Sequence, residues 1–342
     1  MIRALALLML PFAAQAEVVR IATYNTELSR NGPGLLLRDI QRDDEQVLAI
    51  VDVIAASRPD IIALQGIDWD LERAAVNALT GKLRDAGLDY VYHFSAQPNA
   101  GQQTSLDLDG DGRSQGPGDA QGWGKFTGQG GLAVLSRFEI MAEDVQDYSN
   151  LLWQDLPGAT LPSVDGRPFP SDAAQKIQRL SSTAHWVIPI ETPLGRLNLM
   201  TFHAAPPVFD GPEDRNGLRN RDEIRFWSVL LNGDLGQVPN GPLVIAGDAN
   251  LDPKHGEGHK QAIHTLRTLS LLQDPMPMDP SGSTATVAWK ATGEMRVDYV
   301  FPSSDLRVSG AGVIWPEEGD KLYDSAQRAS RHRLVWVDVT LP

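Results

Sequence analysis

Ten short apolar segments, rich in β-branched residues, recur along the chain and constrain its fold more than any other feature. They are residues 18–25, 61–64, 89–94, 131–136, 181–189, 196–203, 243–247, 296–301, 308–315 and 334–341. Their length and composition are typical of buried strands. Four segments have apolar residues at helical spacing, namely 42–56, 71–86, 220–231 and 261–272. This mixture predicts an α/β fold in which strands outnumber helices.

The order of these segments narrows the fold class further. Two early strand–helix–strand units are followed mostly by pairs of strands, and neither a linker nor an internal repeat divides the chain. We therefore predict one domain over residues 17–342, built as a four-layer α/β/β/α sandwich of two packed mixed sheets with outer helices. A chain of 342 residues is long enough to bury the core that this architecture needs.

The first sixteen residues have the pattern of a secretory signal peptide rather than of the fold. Arg3 precedes an apolar stretch, which ends in the small-residue cleavage signal Ala14-Gln15-Ala16. The sequence therefore predicts a signal peptide over residues 1–16 and a periplasmic or secreted protein. No segment reaches the ~18 apolar residues that a membrane helix needs, so no membrane span is expected.

Composition excludes several classes of function. The chain has no cysteine, which excludes disulfides, thiolate metal sites and a cysteine nucleophile. Its 30 basic and 44 acidic residues give a net charge of −14, which argues against a broad electrostatic grip on nucleic acid. Local arginines can still contact phosphate, and the candidates are Arg179, Arg215, Arg219 and Arg331.

Polar side chains lie at the ends of several predicted strands. They are Asn25, Glu27, Asp68, His203, Asp248, Asn250, Asp298 and His332. Because strand ends meet at one rim of a sandwich, these groups are expected to share a cleft. Hard oxygen ligands there suit Mg²⁺, Mn²⁺ or Ca²⁺, and imidazoles suit proton transfer. The set therefore indicates metal-assisted hydrolysis of a phosphoester.

Seven segments also resemble, in order, motifs of the endonuclease/exonuclease/phosphatase superfamily. They are IATYN (21–25), PDIIALQ (59–65), GLAVLSR (131–137), TFHAAP (201–206), IAGDANLDP (245–253), RVDYVF (296–301) and SRHRLV (330–335). The resemblance covers nearly all of residues 17–342. It implies the four-layer sandwich, active-site Mg²⁺ or Mn²⁺ and a phosphate-ester substrate, with nucleic acid among the candidates. It implies no protein partner.

The resemblance also assigns catalytic roles by position. His332 resembles the general base of the family, and Asp298 resembles the carboxylate that orients it. Asp248 and Asn250 resemble the pair that holds the nucleophile and the scissile phosphate. His203 resembles the second histidine of the deoxyribonuclease branch, a general acid.

The metal site departs from the family pattern. Gly66 stands where the family has its main glutamate ligand, and Arg331 replaces an aspartate. Metal ligation is therefore assigned to Asn25, Glu27, Asp68 and Asp248. In an extended strand Asp68 points to the same face as Gly66, although it can equally cap the next helix. Glu27 is equally compatible with a solvated loop.

Two arginines are assigned to substrate binding together with Asn250. Arg331 can contact phosphate directly through a bidentate guanidinium. Arg179 begins a strand where relatives often place a phosphate-binding arginine, and a plain surface arginine is equally compatible.

An acidic loop offers a second ion site. Asp107, Asp109, Asp111 and Gly112 have the D-x-D-x-D-G spacing of a calcium loop, but Gly118 stands at the twelfth position, with Asp119 next to it. The sequence is compatible both with Ca²⁺ bound by these four aspartates and with a solvated loop.

The sequence as a whole predicts a secreted, divalent-metal-dependent hydrolase of phosphate esters, either a phosphodiesterase or a nuclease. One alternative is a non-catalytic protein that binds a phosphate ligand, because Gly66 and Arg331 can indicate a degenerate metal site. Another is a phosphomonoesterase.

Overall fold

The computed structural model describes residues 17–341, so the predicted signal peptide at 1–16 lies outside the described residues. Strands within this range are β1 (Val19–Leu28), β2 (Ile61–Ile67), β3 (Tyr92–Phe94), β4 (Gly131–Ser136), β5 (Glu139–Ile140), β6 (Gln146–Asp147), β7 (Ser163–Val164), β8 (Arg167–Pro168), β9 (His185–Thr192), β10 (Gly195–His203), β11 (Leu243–Asp248), β12 (Val287–Trp289), β13 (Gly293–Met295), β14 (Asp298–Pro302), β15 (Arg307–Val313) and β16 (Val335–Thr340). The helices are α1 (Leu35–Gln41), α2 (Glu45–Ser57), α3 (Ala74–Asp85), α4 (Asp172–Ile177), α5 (Arg215–Leu231), α6 (Gln261–Arg267) and α7 (Tyr323–Ala329).

Two large mixed sheets form the centre of the fold. The first has the strand order β15-β16-β1-β2-β4-β3, and the second has the order β14-β11-β10-β9-β5, with β6 also pairing with β9. β1 pairs with β2 in parallel, as does β10 with β11, while the other neighbours are antiparallel. β7 with β8 and β12 with β13 form small separate hairpins.

Apolar side chains pack in three layers between the sheets and the helices. The layer between the two sheets includes Ile21, Ala63, Ile188, Val244 and Val337. A second layer packs the first sheet against α1, α2, α3 and α7, and a third packs the second sheet against α5 and α6. The predicted four-layer α/β/β/α sandwich is therefore confirmed.

The helix α5 begins five residues earlier than the periodicity predicts. Asp210 supplies the reason, because its carboxylate accepts hydrogen bonds from the backbone N–H groups of Asn216 (2.6 Å) and Gly217 (3.3 Å). Such bonds satisfy donors that the first helical turn leaves unpaired. The extra turn places Arg215 at the start of the helix.

Across residues 17–341, no helix combines the length and the apolar character that crossing a membrane requires.

Candidate active site

Two buried carboxylates face each other because their strands are neighbours. Asp248 ends β11 and Asp298 begins β14, and the two residues are register partners in this antiparallel pair. His332 lies in the segment that leads into β16. Ligand atoms of these three buried residues all lie within 4.8 Å of one another. The structure thus gathers three of the predicted catalytic residues.

His332 is held in one orientation by Asp298. Its Nδ1 lies 2.9 Å from Asp298 Oδ2, and Thr286 Oγ1 donates to the same oxygen at 2.8 Å. The ring of Trp289 packs edge-on against the imidazole, with 5.7 Å between the ring centres. Because Nδ1–H donates to the carboxylate, Nε2 is the nitrogen left to accept a proton. Within residues 17–341, no group forms a hydrogen bond with Nε2.

One oxygen of Asp248 lies within 4 Å of two imidazoles. Its Oδ2 is 3.8 Å from His332 Nδ1 and 3.5 Å from His203 Nε2. The side chain of Asn25 donates to this oxygen at 2.9 Å, and the backbone N–H of Asn250 donates to Oδ1 at 2.7 Å. His203 is thus brought to the same carboxylate as the His332–Asp298 pair.

Asn250 connects the two loops that carry these groups. The backbone of Asn250 is in the left-handed region, with φ of 49°. Its side-chain Nδ2 donates to the carbonyl of Ala204 at 2.9 Å. This bond fixes the loop that follows His203 against the loop that follows Asp248.

The two histidines have opposite pKa shifts. Burial lowers the pKa of His332, but the charges of Asp298 and Asp248 outweigh it and raise the pKa to about 9. Burial lowers the pKa of His203, and the charge of Asp248 does not compensate. Burial and the neighbouring Asp298 raise the pKa of Asp248. In these surroundings His332 carries a proton at neutral pH and His203 does not.

Gly66 has a conformation that leaves no room for a side chain. Its φ is +69°, and it lies at a β-bulge where the register of β2 shifts. A Cβ atom at this position would lie 2.5 Å from Oδ1 of Asn25. The backbone at Gly66 therefore cannot carry the glutamate side chain that the family has at this position unless Asn25 moves.

Glu27 is paired with Arg331. Its carboxylate accepts hydrogen bonds from the backbone N–H of Arg331 at 2.8 Å and from Nε at 2.7 Å. Although burial raises the pKa of Glu27, these bonds hold it below its usual range. Arg331 was expected to contact phosphate, and Glu27 was expected to bind the metal. In the structure the two side chains instead pair with each other.

Asp68 is placed differently from the expectation. The strand alternation that would put it on the face of Gly66 is interrupted, because β2 bulges at Gly66 and ends at Ile67. Both oxygens of Asp68 accept backbone N–H groups, from Arg30 at 2.8 Å and from Gly130 at 2.9 Å. Burial raises the pKa of Asp68 to about 6. In this arrangement Asp68 joins two loops and is outside the Asp248 cluster.

The remaining arginines differ in how they are engaged. The Nη1 of Arg179 donates to Asn99 Oδ1 and to Gln102 Oε1, both at 2.7 Å. Arg219 is buried and donates to backbone carbonyls, including that of Leu180, so its guanidinium is not available to a phosphate.

The acidic loop forms a second cluster. Ligand atoms of Asp107, Asp109 and Asp119 lie within 4.8 Å of one another. Asp111 is outside this group, and its carboxylate instead accepts the backbone N–H of Arg113 at 2.8 Å. Three of the four predicted aspartates are therefore close enough to share an ion.

Sequence reasoning missed three residues that hold the site in place. Thr286 binds Asp298, and no motif pointed to it. The hydroxyl of Ser330 lies 2.8 Å from the carbonyl of Asn25 and accepts the N–H of His332 at 3.1 Å. Glu223 accepts the N–H groups of Ser182 and Ala205 from a fully buried position on α5. Ser330 lies inside the SRH motif, which could have indicated it.

The donors fit a hard divalent cation. Carboxylate oxygens of Asp248 and Asp298 are buried close to one another. The amide nitrogen of Asn25 contacts Asp248, and its Oδ1 accepts the backbone N–H of Glu27. Oxygen donors of this kind suit Mg²⁺ or Mn²⁺ rather than a soft metal.

Comparisons with solved structures support the fold. A protein of the endonuclease/exonuclease/phosphatase family from Leptotrichia buccalis C-1013-b has a TM-score of 0.55 at 17% identity, covering 95% of this chain and 99% of that one. One from Beutenbergia cavernae DSM 12333 has the same TM-score and identity, covering 95% of this chain and 72% of that one. The human nocturnin catalytic domain with bound sulfate has a TM-score of 0.51 at 14% identity, covering 95% of both chains.

Comparison of the sequence with family profiles identifies the family of the chain, whereas the structural likeness supports only the fold. No curated protein matches the chain. However, the profile of the Endonuclease/Exonuclease/phosphatase family matches residues 22–332, which is most of the sequence. This match confirms the resemblance seen in the seven motifs. The chain therefore belongs to the Endonuclease/Exonuclease/phosphatase family, whose members are generally divalent-metal-dependent hydrolases of phosphoester bonds.

Proposed function

We propose that this protein is a divalent-metal-dependent phosphodiesterase. The observation that carries the proposal is that two imidazoles lie close to the same oxygen of Asp248, with His332 Nδ1 at 3.8 Å and His203 Nε2 at 3.5 Å from Oδ2. Hydrolysis of a phosphodiester needs one group that takes a proton from water and another that gives a proton to the leaving oxygen. A protein that only binds phosphate needs neither.

His332 is the general base in this proposal. Asp298 holds its Nδ1–H, which fixes the tautomer and leaves Nε2 to remove a proton from the attacking water. Thr286 keeps the carboxylate of Asp298 in place through its hydroxyl. The charge on Asp298 also stabilises the imidazolium that forms.

His203 is the general acid. Its Nε2 lies 3.5 Å from Oδ2 of Asp248. The negative charge of a bound phosphate favours the protonated form of this imidazole, which then donates to the leaving oxygen. Asp248 orients the attacking water, and the Asn250 backbone keeps Asp248 in position.

Asn25 and Asp248 are the residues that would hold the metal ion. When bound, Mg²⁺ or Mn²⁺ would neutralise the charge that develops on the phosphoryl oxygens. The proposed phosphate contacts are Asn250, Arg331 and Arg179.

The test measures turnover of bis-p-nitrophenyl phosphate, p-nitrophenyl phosphate and plasmid DNA in EDTA, Mg²⁺, Mn²⁺ and Ca²⁺. Metal-dependent turnover, faster on the diester, is the expected result. His332→Gln should lower kcat by about 10²–10⁴-fold, because it removes proton transfer. His264→Gln is the matched control, since His264 is exposed and bonds only the carbonyl of Pro253. An unchanged rate in His332→Gln would contradict the proposal.

A second candidate is a phosphate-binding protein without turnover. It is favoured by the Glu27–Arg331 pair and by Gly66, because these remove two carboxylates from the vicinity of a metal. Binding of inorganic phosphate with no hydrolysis under any metal would select it. Faster turnover of p-nitrophenyl phosphate than of the diester would instead select a phosphomonoesterase.

We also propose that the mature chain acts in the periplasm or outside the cell. This proposal is supported by the signal-peptide pattern of residues 1–16.

A further inference from the structure

A cleft of about 660 Å³ opens beside His203. It is formed by the loop that follows β10, the start of α5, and the loops around residues 118–130 and 182–183. His203 is among its lining residues, so the cleft is continuous with the candidate active site. A volume of this size is ordinary for a site that takes a small molecule or part of one.

Arg215 lies in this cleft with an unused guanidinium. Within residues 17–341 it forms neither a hydrogen bond nor a salt bridge, although its Nε is shielded from solvent. Arg219, one helical turn later, shows the contrast, because its guanidinium donates to backbone carbonyls. A shielded guanidinium without a partner is costly, so this arrangement is typical of a site that receives an anion.

The acidic groups nearest to Arg215 do not fill this site. Asp109, Asp119, Asp210 and Glu213 are close enough to act on its charge, but none makes a salt bridge with it. Asp210 is engaged by the start of α5, and Asp119 by the backbone of Leu108 and Gly116. The nearby carboxylates thus offset the positive charge of the Arg215 guanidinium, but they leave its N–H donors without a partner.

The cleft is held open by Glu223. This buried carboxylate accepts the backbone N–H of Ser182 at 2.5 Å on one wall and that of Ala205 at 2.6 Å on the other. Because both walls are fixed to α5, which also carries Arg215, the cleft and its cation form one preorganised unit.

Two large aromatic side chains border the cleft and are left exposed. Trp123 is 63% exposed and Phe209 is 90% exposed, whereas most other aromatic side chains within residues 17–341 are buried or half-buried. Exposed rings beside an unpaired guanidinium are suited to contact a flat ring of a ligand.

We propose that this cleft binds the leaving-group portion of the substrate, where Arg215 pairs with a second anionic group and Trp123 packs against a ring. The inference rests on the proposed function, because His203 defines the leaving-group side. The substrate class that follows is a phosphodiester whose leaving group carries both a ring and a further phosphate or carboxylate.

The test compares the affinities of adenosine 3′,5′-bisphosphate and adenosine 5′-monophosphate by calorimetry. All proteins carry His332→Gln, so that neither ligand is consumed. We expect the bisphosphate to bind about 10–100-fold more tightly than the monophosphate, as a charge-assisted pair predicts. Arg215→Gln should abolish this ratio, and Arg215→Lys should retain part of it. Trp123→Ala should weaken both ligands about tenfold.

Arg137→Gln is the matched control, because Arg137 is exposed and pairs with Asp60 away from the cleft. The ratio should be unchanged in this variant. The subsite is overturned if the bisphosphate still binds more tightly than the monophosphate in Arg215→Gln. It is also overturned if the protein that carries only His332→Gln binds the two ligands equally. Equal weakening of both ligands together with a lower melting temperature would show that Arg215 is structural, and would overturn it too.

The two proposals fail separately. The first outcome is that the affinity ratio depends on Arg215 but the protein with His332 intact does not hydrolyse bis-p-nitrophenyl phosphate. This outcome supports the ligand site and rejects the phosphodiesterase. Turnover combined with a ratio that ignores Arg215 supports the phosphodiesterase and rejects the subsite.

Discussion

At the scale of single residues, the charges of the two histidines are the reverse of their proposed roles. His332, the proposed base, has a pKa of about 9, while the pKa of His203, the proposed acid, is lowered. A bound metal ion and phosphate would supply the missing charges, because a cation disfavours protonation of His332 and an anion favours that of His203. In the proposed mechanism, the catalytic charge state would therefore require both ligands.

Divalent cation is accordingly expected to lower the pKa of His332 from about 9 by at least one unit. The cation repels the imidazolium, so the neutral form becomes more stable. NMR titration of the imidazole signals, with and without Mg²⁺, measures the shift. Asp298→Asn should lower the same pKa without metal, because Asp298 raises it. A pKa that Mg²⁺ leaves unchanged, while Mg²⁺ supports turnover, would contradict this account.

The sequence identified Asp248, Asp298 and His332 because each lies beside a buried strand that the apolar pattern reveals. It could not place Asp68 or Arg331, because their partners come from residues distant along the chain. Arg30 and Gly130 engage Asp68, and Glu27 engages Arg331. Local pattern carries no information about such pairings.

At the scale of elements, the bulge in β2 sets the space next to the side chain of Asn25. Gly66 adopts φ of +69° there, and Asn25 Oδ1 occupies the space that a side chain would need. The bulge thus links a backbone conformation to the position of a proposed metal ligand.

Gly66→Ala is expected to lower both stability and turnover. A left-handed non-glycine residue costs about 1–2 kcal/mol, and the clash with Asn25 adds to this. Gly87→Ala is the matched control, because Gly87 has φ of +83° and no atom within 4 Å of an added Cβ. Urea unfolding and bis-p-nitrophenyl phosphate turnover check the prediction. Loss of turnover should be confined to Gly66→Ala, and equal effects of the two variants would refute the steric explanation.

Calcium is expected to stabilise the acidic loop. A free concentration 100 times Kd should add about 2.7 kcal/mol to the free energy of unfolding. Asp109→Asn should remove this gain, whereas Asp111→Asn should keep it, because Asp111 is outside the cluster. Melting temperatures with Ca²⁺ and with EDTA measure both. A calcium effect that both variants retain would exclude the cluster as its source.

All ten strands and four helices predicted from the sequence are present. The helices and strands that sequence reasoning missed are short: α1, α4 and α7 have six or seven residues, β5–β8 have two each, and β12 and β13 have three each. Such lengths complete at most two helical turns or one strand repeat, so no period can be recognised. Tertiary contacts, not local pattern, specify them.

At the scale of the whole molecule, the signal-peptide prediction concerns where the chain works. Expression of residues 1–342 in a bacterium should yield periplasmic protein that begins at Glu17. Leu8→Arg should block export, because a charge interrupts the apolar region that the secretory machinery requires. Intact-mass measurement of each cell fraction checks the cleavage position. Periplasmic protein that retains Met1 would contradict it.

The candidate site spans the boundary between the two sheets. Asn25, from the first sheet, bonds Asp248 in the second, and His332, which leads into the first sheet, bonds Asp298 in the second. A slide of one sheet over the other would separate both pairs at once. The rate of turnover should therefore depend on how the two sheets are aligned. Conservative substitutions of Ile188 or Val337, which pack between the sheets, should change kcat even where the melting temperature stays the same.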